Sequence, residues 1–300
     1  MILMEIKQIL PLEHKFTEVL KALVLKPEIL YYYGKIPDFR QKTVAIVGSR
    51  RNTDYGYNVA YKAAYEAARA GAVVVSGLAY GIDSVAHRAA LDAGGITIAV
   101  LGTPITEVYP RAHQALAEEI IKKGGAVISE YGPEDVAAGG KEMRARFLQR
   151  NRIIAGLSDA VLVAEAADHS GTLNTAMHAL DCGVDVLAAP GDITKASSVG
   201  CNRLIKQGAI PYTEPEDLLD LLFPERITKR HSRKLLKKLL LKTETEAERR
   251  VLALLFEGVR DGDEIMKQLK SSAAEFAQVI TMLEVKGLVT GLGANVWMLR

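Results

Sequence analysis

The sequence predicts an α/β fold, in which an extended Rossmann-like, doubly wound and mostly parallel sheet precedes a small C-terminal winged-helix domain. Six continuous apolar runs, among them TVAIVG and AVLVAEA, are typical of strands buried on both faces of a parallel sheet. Ala-rich segments with helical spacing, such as YNVAYKAAYEAARAG, separate these runs, as a doubly wound fold requires. After residue 242 the chain contains three short helical segments and a Gly-rich hairpin, which indicate a winged helix.

These elements predict four parts in chain order. Residues 1–42 form an N-terminal helical lead-in, and residues 43–222 form the extended Rossmann domain. Residues 223–242 are a basic linker, and residues 243–300 are the winged-helix domain. Three adjacent tyrosines at positions 31–33 offer either a base-stacking platform or packing of the N-terminal arm on the sheet edge, and we favour the packing.

The charge of the chain is concentrated in one segment. The net charge over 300 residues is +2, which gives no general attraction to polyanions. Residues 224–242 alone carry +7, so the rest of the chain carries −5. The linker could bind DNA or serve as a solvated tether, and the sequence leaves these two alternatives open.

The cysteines and the N-terminus narrow the class of protein. Cys182 and Cys201 stand in no metal-ligand pattern and the histidines form no zinc signature, so we expect no metal and no cofactor. The apolar N-terminus is interrupted by Glu5, Lys7 and Pro11, which disfavours a signal peptide or a membrane span. We therefore expect a cytoplasmic protein.

Glycine and hydroxyl residues follow several predicted strands. Gly48, Ser49 and Arg50 follow the first apolar run, and Ser76 and Gly77 follow the second. Because ligands of open parallel sheets bind at the carboxyl ends of the strands, these turns predict a phosphate-containing ligand. The turn GSRRNTDYG has no second glycine two positions after Gly48, and no P-loop is present, so NAD and ATP are disfavoured.

Two later segments add candidate anion-binding groups. The segment RARFLQRNR carries Arg144, Arg146, Arg150, Asn151 and Arg152 near the start of a predicted helix. Cations at a helix N-terminus are opposed by the helix dipole, so we expect an anionic partner there, although a solvated face is the simpler alternative. A further strand-to-helix turn offers hydroxyl and N–H groups from Ser170, Gly171 and Thr172.

Taken in order, these motifs resemble the DprA/Smf family of DNA-processing proteins. The matching segments are AIVGSR, SGLAYGIDSVAH, TIAVLG, RNRIIAGLSDAVLVAEA, SGTLNTA and APGDI. The resemblance implies sequence-independent binding of single-stranded DNA, loading of the RecA recombinase during natural transformation, and a homodimer. It also implies that Gly48, Ser49 and Arg50 line the DNA pocket. The loop GTPITEVYP keeps Tyr109 and Pro110 but lacks the glycine and aspartate that many members have.

The leading hypothesis is therefore a DNA-binding and loading protein and not an enzyme. The candidate contacts are Gly48, Ser49, Arg50, Ser76, Gly77, Arg144, Arg146, Arg150, Asn151, Arg152, Ser170, Gly171 and Thr172, with Tyr55, Tyr57 or Tyr80 stacking on bases. Since the third winged-helix segment has no Lys or Arg and two Glu, we favour protein contact over DNA contact for that domain.

The alternative hypothesis is an enzyme that resembles the nucleoside-monophosphate phosphoribohydrolases. Asn174 and Thr175 stand where such an enzyme needs its catalytic acid, so this alternative is disfavoured. Asp83 and His87 could form a catalytic pair, but no nucleophile or metal completes it. We favour a structural role, in which Asp83 caps a helix and His87 hydrogen-bonds nearby.

Overall fold

Nine strands form one sheet within the described residues, which are 5–136, 138–226, 240 and 243–299 of this computed structural model. The sheet order is β1-β2-β6-β5-β4-β3-β7-β8-β9. β1 and β2 pair antiparallel, and β3 to β9 are parallel. The strands are β1 (Lys7–Ile9), β2 (Leu30–Gly34), β3 (Thr43–Gly48), β4 (Val73–Ser76), β5 (Thr97–Leu101), β6 (Ala126–Ser129), β7 (Ala160–Glu165), β8 (Asp185–Ala188) and β9 (Ile210–Pro211).

Helices cover both faces of this sheet, because the strands are apolar on both sides. α1, α2, α3 and α7 pack on one face, where Ile46 and Leu162 are buried. α4, α5 and α6 pack on the other, where Val47 and Val163 are buried. The helices are α1 (Asp54–Arg69), α2 (Ile82–Asp92), α3 (Gln114–Lys122), α4 (Gly140–Gly156), α5 (Thr172–Asp181), α6 (Val199–Lys206) and α7 (Pro215–Leu222). This confirms the doubly wound fold that the apolar runs predict.

The strand order reverses between β3 and β7. From β3 the chain builds outward through β4, β5 and β6, and then α4 returns it to β7 on the other side of β3. A reversal of this kind opens a crevice at the carboxyl ends of the two strands. Gly48 and Glu165, the last residues of β3 and β7, pair with each other at this point.

The N-terminal segment differs from the expected helical lead-in over residues 1–42. Among the residues described there, it forms β1, a short 3₁₀ helix at Glu18–Ala22, and β2. Tyr31 pairs with Ser129 and Tyr33 pairs with Val127, so β2 extends the sheet beyond β6. The physical reason is that aromatic residues favour strands and the edge of β6 offers unpaired backbone groups. The three tyrosines thus pack on the sheet edge.

The C-terminal unit has the winged-helix order of elements. These are α8 (Glu246–Phe256), α9 (Gly262–Leu269), α10 (Ala273–Val285), β10 (Val289–Gly293) and β11 (Val296–Leu299). Capping boxes at Thr245 and Ser272 begin α8 and α10, and Leu252, Ile265 and Leu283 form the centre of its core. The chain divides into compact units at Met1–Pro224 and Glu225–Arg300. Most of the expected basic linker, 223–242, lies outside the described residues, so its role stays a prediction.

Candidate nucleic-acid interface

A groove of about 950 Å³ lies at the carboxyl ends of the strands, where the strand order reverses. It is bounded by the β3–α1 turn, the N-terminal half of α4 and the β7–α5 turn. Among the candidate contacts from the sequence, those that line it are Gly48, Ser49, Arg50, Arg144, Arg150, Asn151, Ser170, Gly171 and Thr172. Ser76, Gly77, Arg146 and Arg152 do not line it.

The β3–α1 turn presents Arg50 to the groove. The Ser49 N–H donates to the Glu165 carbonyl at 2.9 Å, and the Arg51 N–H donates to Ser49 Oγ at 3.1 Å. These two bonds fix the backbone on both sides of Arg50. The Arg50 side chain is exposed, and its Cζ lies 5.6 Å from the centre of the Phe147 ring. Within the described residues no carboxylate forms an ion pair with Arg50, so its charge is available to an anion.

The Thr172 hydroxyl joins the β7–α5 turn to the end of β3. Thr172 Oγ1 donates to the Gly48 carbonyl at 3.0 Å, and Ser170 Oγ donates to Thr172 Oγ1 at 3.0 Å. Gly171 is exposed where α5 begins, so the positive end of the α5 dipole faces the groove. On the facing side, Asn151 Nδ2 donates to Asn174 Oδ1 at 3.2 Å, which fixes α4 against α5.

The helical period of α4 separates the arginines onto different faces. Arg144, Phe147 and Asn151, spaced by three and four residues, share the groove face. Arg146 instead pairs with Glu142 at 2.8 Å and donates to the Val136 carbonyl at 3.0 Å. Arg152 is buried and pairs with Glu130 at 2.6 Å. The anionic partners expected for these two arginines are therefore carboxylates of the protein itself.

Arg150 lines the groove, but its guanidinium binds backbone carbonyls inside the protein. Its side chain is buried, and Nη1 donates to the carbonyls of Gly77, at 3.0 Å, and of Val100. Burial lowers the pKa of this guanidinium to about 10 and raises the pKa of the nearby Asp83 carboxyl. Arg150 thus holds the ends of β4 and β5 together beneath the groove.

The Ser76–Gly77 turn supports the groove from below. Ser76 is fully buried and donates to the Ile46 carbonyl at 2.7 Å. The loop that follows covers the end of β4. Gly81 in this loop packs closely on the β3–α1 turn, since a Cβ at Gly81 would lie 2.2 Å from the Ser49 carbonyl oxygen. With φ at +75°, Gly81 is the residue that precedes α2, in the capping position that we expected for Asp83.

Asp83 and His87 have structural partners. The Asp83 carboxylate accepts from the Gly77 N–H at 3.1 Å, inside the first turn of α2. His87 lies one turn later and is fully buried, with Nδ1 2.7 Å from Thr97 Oγ1. Both side chains thus have partners within the fold, and the partner of His87 is Thr97.

The aromatic lining of the groove differs from the one expected. Phe147 and Tyr109 line it, with ring centres 5.4 Å apart. The expected stacking residues lie elsewhere: the Tyr55 hydroxyl donates to the Pro190 carbonyl, Tyr57 stacks on a neighbouring tyrosine, and Tyr80 packs against a histidine. The signal that could have identified Phe147 is its position three residues after Arg144 and four before Asn151 on one helix face.

Two further features bear on function. Over the ranges that the structure describes, no cluster of three or more His, Cys, Asp or Glu side chains could hold a metal ion. In the same part of the chain, no helix combines the length and the apolar content that a membrane crossing needs.

Comparison with known proteins agrees with this architecture. The family model for DNA recombination-mediator protein A matches residues 7–223, and the model for the DprA winged helix domain matches residues 238–295. The chain belongs to the DprA family. The resemblance to DprA/Smf proteins that the motifs carry is thereby confirmed.

Relatives of the DprA family are similar over about two thirds of this chain. Protein Smf of Escherichia coli (strain K12) is 44% identical over 196 residues, which are 65% of this chain and 51% of Smf. A putative DprA of Mycobacterium tuberculosis is 40% identical over 65% of this chain and 49% of the relative. The chain therefore spans about half the length of these relatives. DprA of Streptococcus pneumoniae is 42% identical over 64% of this chain and 66% of the relative.

Two solved DprA structures share the fold. DprA from Streptococcus pneumoniae has a TM-score of 0.65 at 39% identity, over 72% of this chain and 74% of that chain. DprA from Helicobacter pylori has a TM-score of 0.63 at 26% identity, over 74% of this chain and 98% of that chain. The Helicobacter pylori structure concerns a single-stranded DNA binding mode of that protein.

Proposed function

We propose that this chain binds single-stranded DNA without sequence preference in the groove at the strand ends. The observation that carries the proposal is the exposed Arg50 guanidinium over the Phe147 ring, in a groove that the start of α5 also lines. A cation and the positive end of a helix dipole suit phosphates, and the half-buried ring that lines the groove suits a base. The single-stranded DNA binding mode of the Helicobacter pylori relative supports the same ligand.

The absence of sequence preference follows from the kind of contact. Phosphate contacts carry no sequence information, and every base has a face that stacks on an aromatic ring. Arg50, Arg144 and the Ser170–Thr172 turn contact phosphates, while Phe147 and Tyr109 contact bases. Duplex DNA hides its base faces in the helical stack, so the groove favours single strands.

We extend the proposal to the process that the family name describes. The chain acts as a recombination mediator in the cytoplasm, loads RecA on the strand during DNA uptake, and works as a homodimer. It is not an enzyme in this proposal. The two carboxylates on the groove lining support this, because Asp83 lies against Arg150 and Asp168 pairs with Arg203.

The decisive experiment is a titration of a fluorescently labelled oligothymidylate with wild-type protein and with Arg50→Ala, over a salt series. We expect Arg50→Ala to weaken binding at least several-fold. The slope of log K against log salt concentration should fall by about 0.7, since one phosphate contact is lost.

Arg69→Ala is the matched control. Arg69 is an exposed arginine at the far end of α1, where it pairs with Glu66 at 3.6 Å, and it lies outside the groove lining. We expect wild-type affinity for this variant. Equal affinities of wild-type protein and Arg50→Ala at fixed salt would contradict the groove assignment.

A further inference from the structure

The side chain of Glu165 lies directly beneath the β3–α1 turn. Glu165 ends β7, and its side chain is buried with 3% of the residue exposed. Within the described residues no Lys, Arg or His forms an ion pair with it. A buried carboxylate without a cation needs strong hydrogen-bond donors, and here these come from the start of α1.

Thr53, the residue that caps α1, supplies both donors. Its N–H lies 3.1 Å from Glu165 Oε2, and its hydroxyl donates to the same oxygen at 2.5 Å. The same hydroxyl accepts from the Gly56 N–H at 3.2 Å. The carboxylate is therefore part of a continuous hydrogen-bonded cap on the helix.

Glu165 takes the place of the acid in a capping box. In a capping box, an acidic side chain at the third helical position reaches back to the backbone N–H of the cap. That position of α1 is Gly56, where a Cβ would lie 2.7 Å from Glu165 Oε2. Glycine here leaves the space that the carboxylate of a different strand then fills.

The position of this carboxylate has a chemical meaning in this fold. The first βα turn of a doubly wound sheet is where a dinucleotide places its pyrophosphate, against the N-terminus of the first helix. We infer that Glu165 serves as a built-in anion at this position, which excludes the phosphates of small nucleotides and, through Thr53, holds the β3–α1 turn that carries Arg50. The second half of this inference rests on the proposed function, and the first half does not.

The two helix N-termini at the groove then have different roles. At the N-terminus of α1 the Glu165 carboxylate, which is not part of the groove lining, binds the capping residue Thr53. The N-terminus of α5 opens on the groove with Gly171 exposed. Its first N–H groups donate to Ser170 and Gly171 and to no carboxylate side chain among the described residues. The two turns therefore differ in charge, and a mononucleotide finds the phosphate position at the α1 turn already filled by an anion.

The test uses the full chain with Glu165→Gln and Glu165→Ala, and inorganic pyrophosphate and AMP as probes in calorimetry. We expect wild-type protein to show no binding of either probe at millimolar concentration. Glu165→Gln keeps the volume and one acceptor oxygen but removes the charge, so pyrophosphate affinity should rise roughly tenfold or more. Glu66→Gln is the control, because it removes a carboxylate at the far end of α1 and should change nothing.

Oligothymidylate binding separates two roles of Glu165: the positioning of the β3–α1 turn and the exclusion of small phosphates. Glu165→Gln should keep wild-type affinity or exceed it, because the turn keeps its hydrogen bonds and a negative charge is removed. Glu165→Ala should lose at least several-fold, because Thr53 loses its acceptor and the β3–α1 turn that carries Arg50 loses this support. If wild-type protein fails to bind the oligonucleotide, the proposed function falls, while the pyrophosphate measurements still decide the exclusion role.

Two outcomes would overturn the inference. One is a folded Glu165→Gln protein that gains no pyrophosphate affinity. The other needs only wild-type protein, so it does not depend on whether a variant folds. If pyrophosphate shifts the amide NMR signals of Thr53 and Gly56, the phosphate position at the α1 turn is open. Amide signals of Thr53 and Gly56 that stay unchanged at millimolar pyrophosphate would support the inference.

Discussion

Phe147 combines exposure to the groove with firm support from behind. Its ring lies against Gly102, where a Cβ would meet the ring at 2.5 Å, and it contacts Tyr109 and Arg50. We predict that Phe147→Ala weakens oligothymidylate binding by about 1–3 kcal/mol, the value of one base stacked on an aromatic ring. The labelled-oligonucleotide titration measures this as roughly a five- to 150-fold loss.

Tyr57→Ala is the control for this loss. Tyr57 is 44% exposed and is an aromatic residue of the kind that sequence alone favours for stacking. It stacks on Tyr61 at 5.9 Å and lies outside the groove lining, so affinity should not change. An equal loss for both variants would indicate that bases bind along α1 and not in the groove.

His87 gives the fold a specific pH dependence. Thr97 Oγ1 donates its single hydrogen to the Val74 carbonyl at 2.7 Å, so it accepts from His87 Nδ1–H, and Nε2 is buried without a partner among the described residues. Burial is the main cause that lowers the pKa of this imidazole from 6.5 to about 3, with repulsion from His113 and Arg150 adding to it. The folded protein therefore holds His87 neutral.

The sign of the effect follows from proton binding. Between pH 3 and 6.5 the unfolded chain binds a proton at His87 that the folded chain does not, so the free energy of unfolding falls as the pH drops through this window. The contribution is up to about 1.4 kcal/mol per pH unit. Urea unfolding at several pH values should show a shallower slope for His87→Gln. His169→Gln, at an exposed side chain, should keep the wild-type slope.

The arginines of α4 show how far residue-level prediction from sequence reaches. A cluster of cations near a helix N-terminus predicts anionic partners, and Arg146 and Arg152 do have them, in Glu142 and Glu130. The sequence could not indicate that these partners belong to the protein, because Glu130 is distant in the chain. Helical spacing alone could have separated Arg144 from Arg146.

At the scale of elements, the wing hairpin carries a backbone conformation that its sequence does not favour. Ala294 has φ +48° and Asn295 has φ +59°, the left-handed pair of values that a two-residue hairpin turn of this type requires. Asparagine tolerates this region, whereas alanine is strained there. The wing thus contains one residue that glycine would suit better.

We predict that Ala294→Gly stabilises the winged-helix unit by about 0.5–1 kcal/mol, because relief of strain outweighs the added freedom of the unfolded chain. Hydrogen exchange of the β10 and β11 amides in the full chain measures this locally. The opposite substitution one residue earlier, Gly293→Ala at φ +89°, should destabilise the same amides. Faster exchange in Ala294→Gly would contradict the strain argument.

Helices and strands were predicted correctly where their own residues carry the pattern. They were missed where pairing with a distant strand decides the conformation. The buried strands β3 to β8 and the three winged-helix segments follow from apolar runs and helical spacing. β1 has three residues and β2 has five; β2 becomes a strand because the edge of β6 is available to pair, and β1 then pairs with β2. No periodicity within such short segments could distinguish them from loop or helix.

At the scale of the whole molecule, the groove and the largest positive charge lie in different segments of the chain. The groove belongs entirely to Met1–Pro224, whereas the strongest positive charge lies in residues 224–242. Net charge outside that segment is negative, so groove binding depends on locally placed cations such as Arg50 and Arg144. Binding through the groove and binding through the basic segment should therefore respond to different changes.

We predict that a chain ending at Pro224 keeps groove binding, because Met1–Pro224 has its own buried core. In this shortened chain Arg50→Ala should reduce oligothymidylate affinity by the same factor as in the full chain, and should reduce the salt slope by the same amount of about 0.7. Any contribution of the basic segment is removed equally from both proteins, so it cancels in this comparison. Circular dichroism verifies that the shortened chain is folded. A folded shortened chain that no longer binds the oligonucleotide would place the principal DNA contact in residues 225–300.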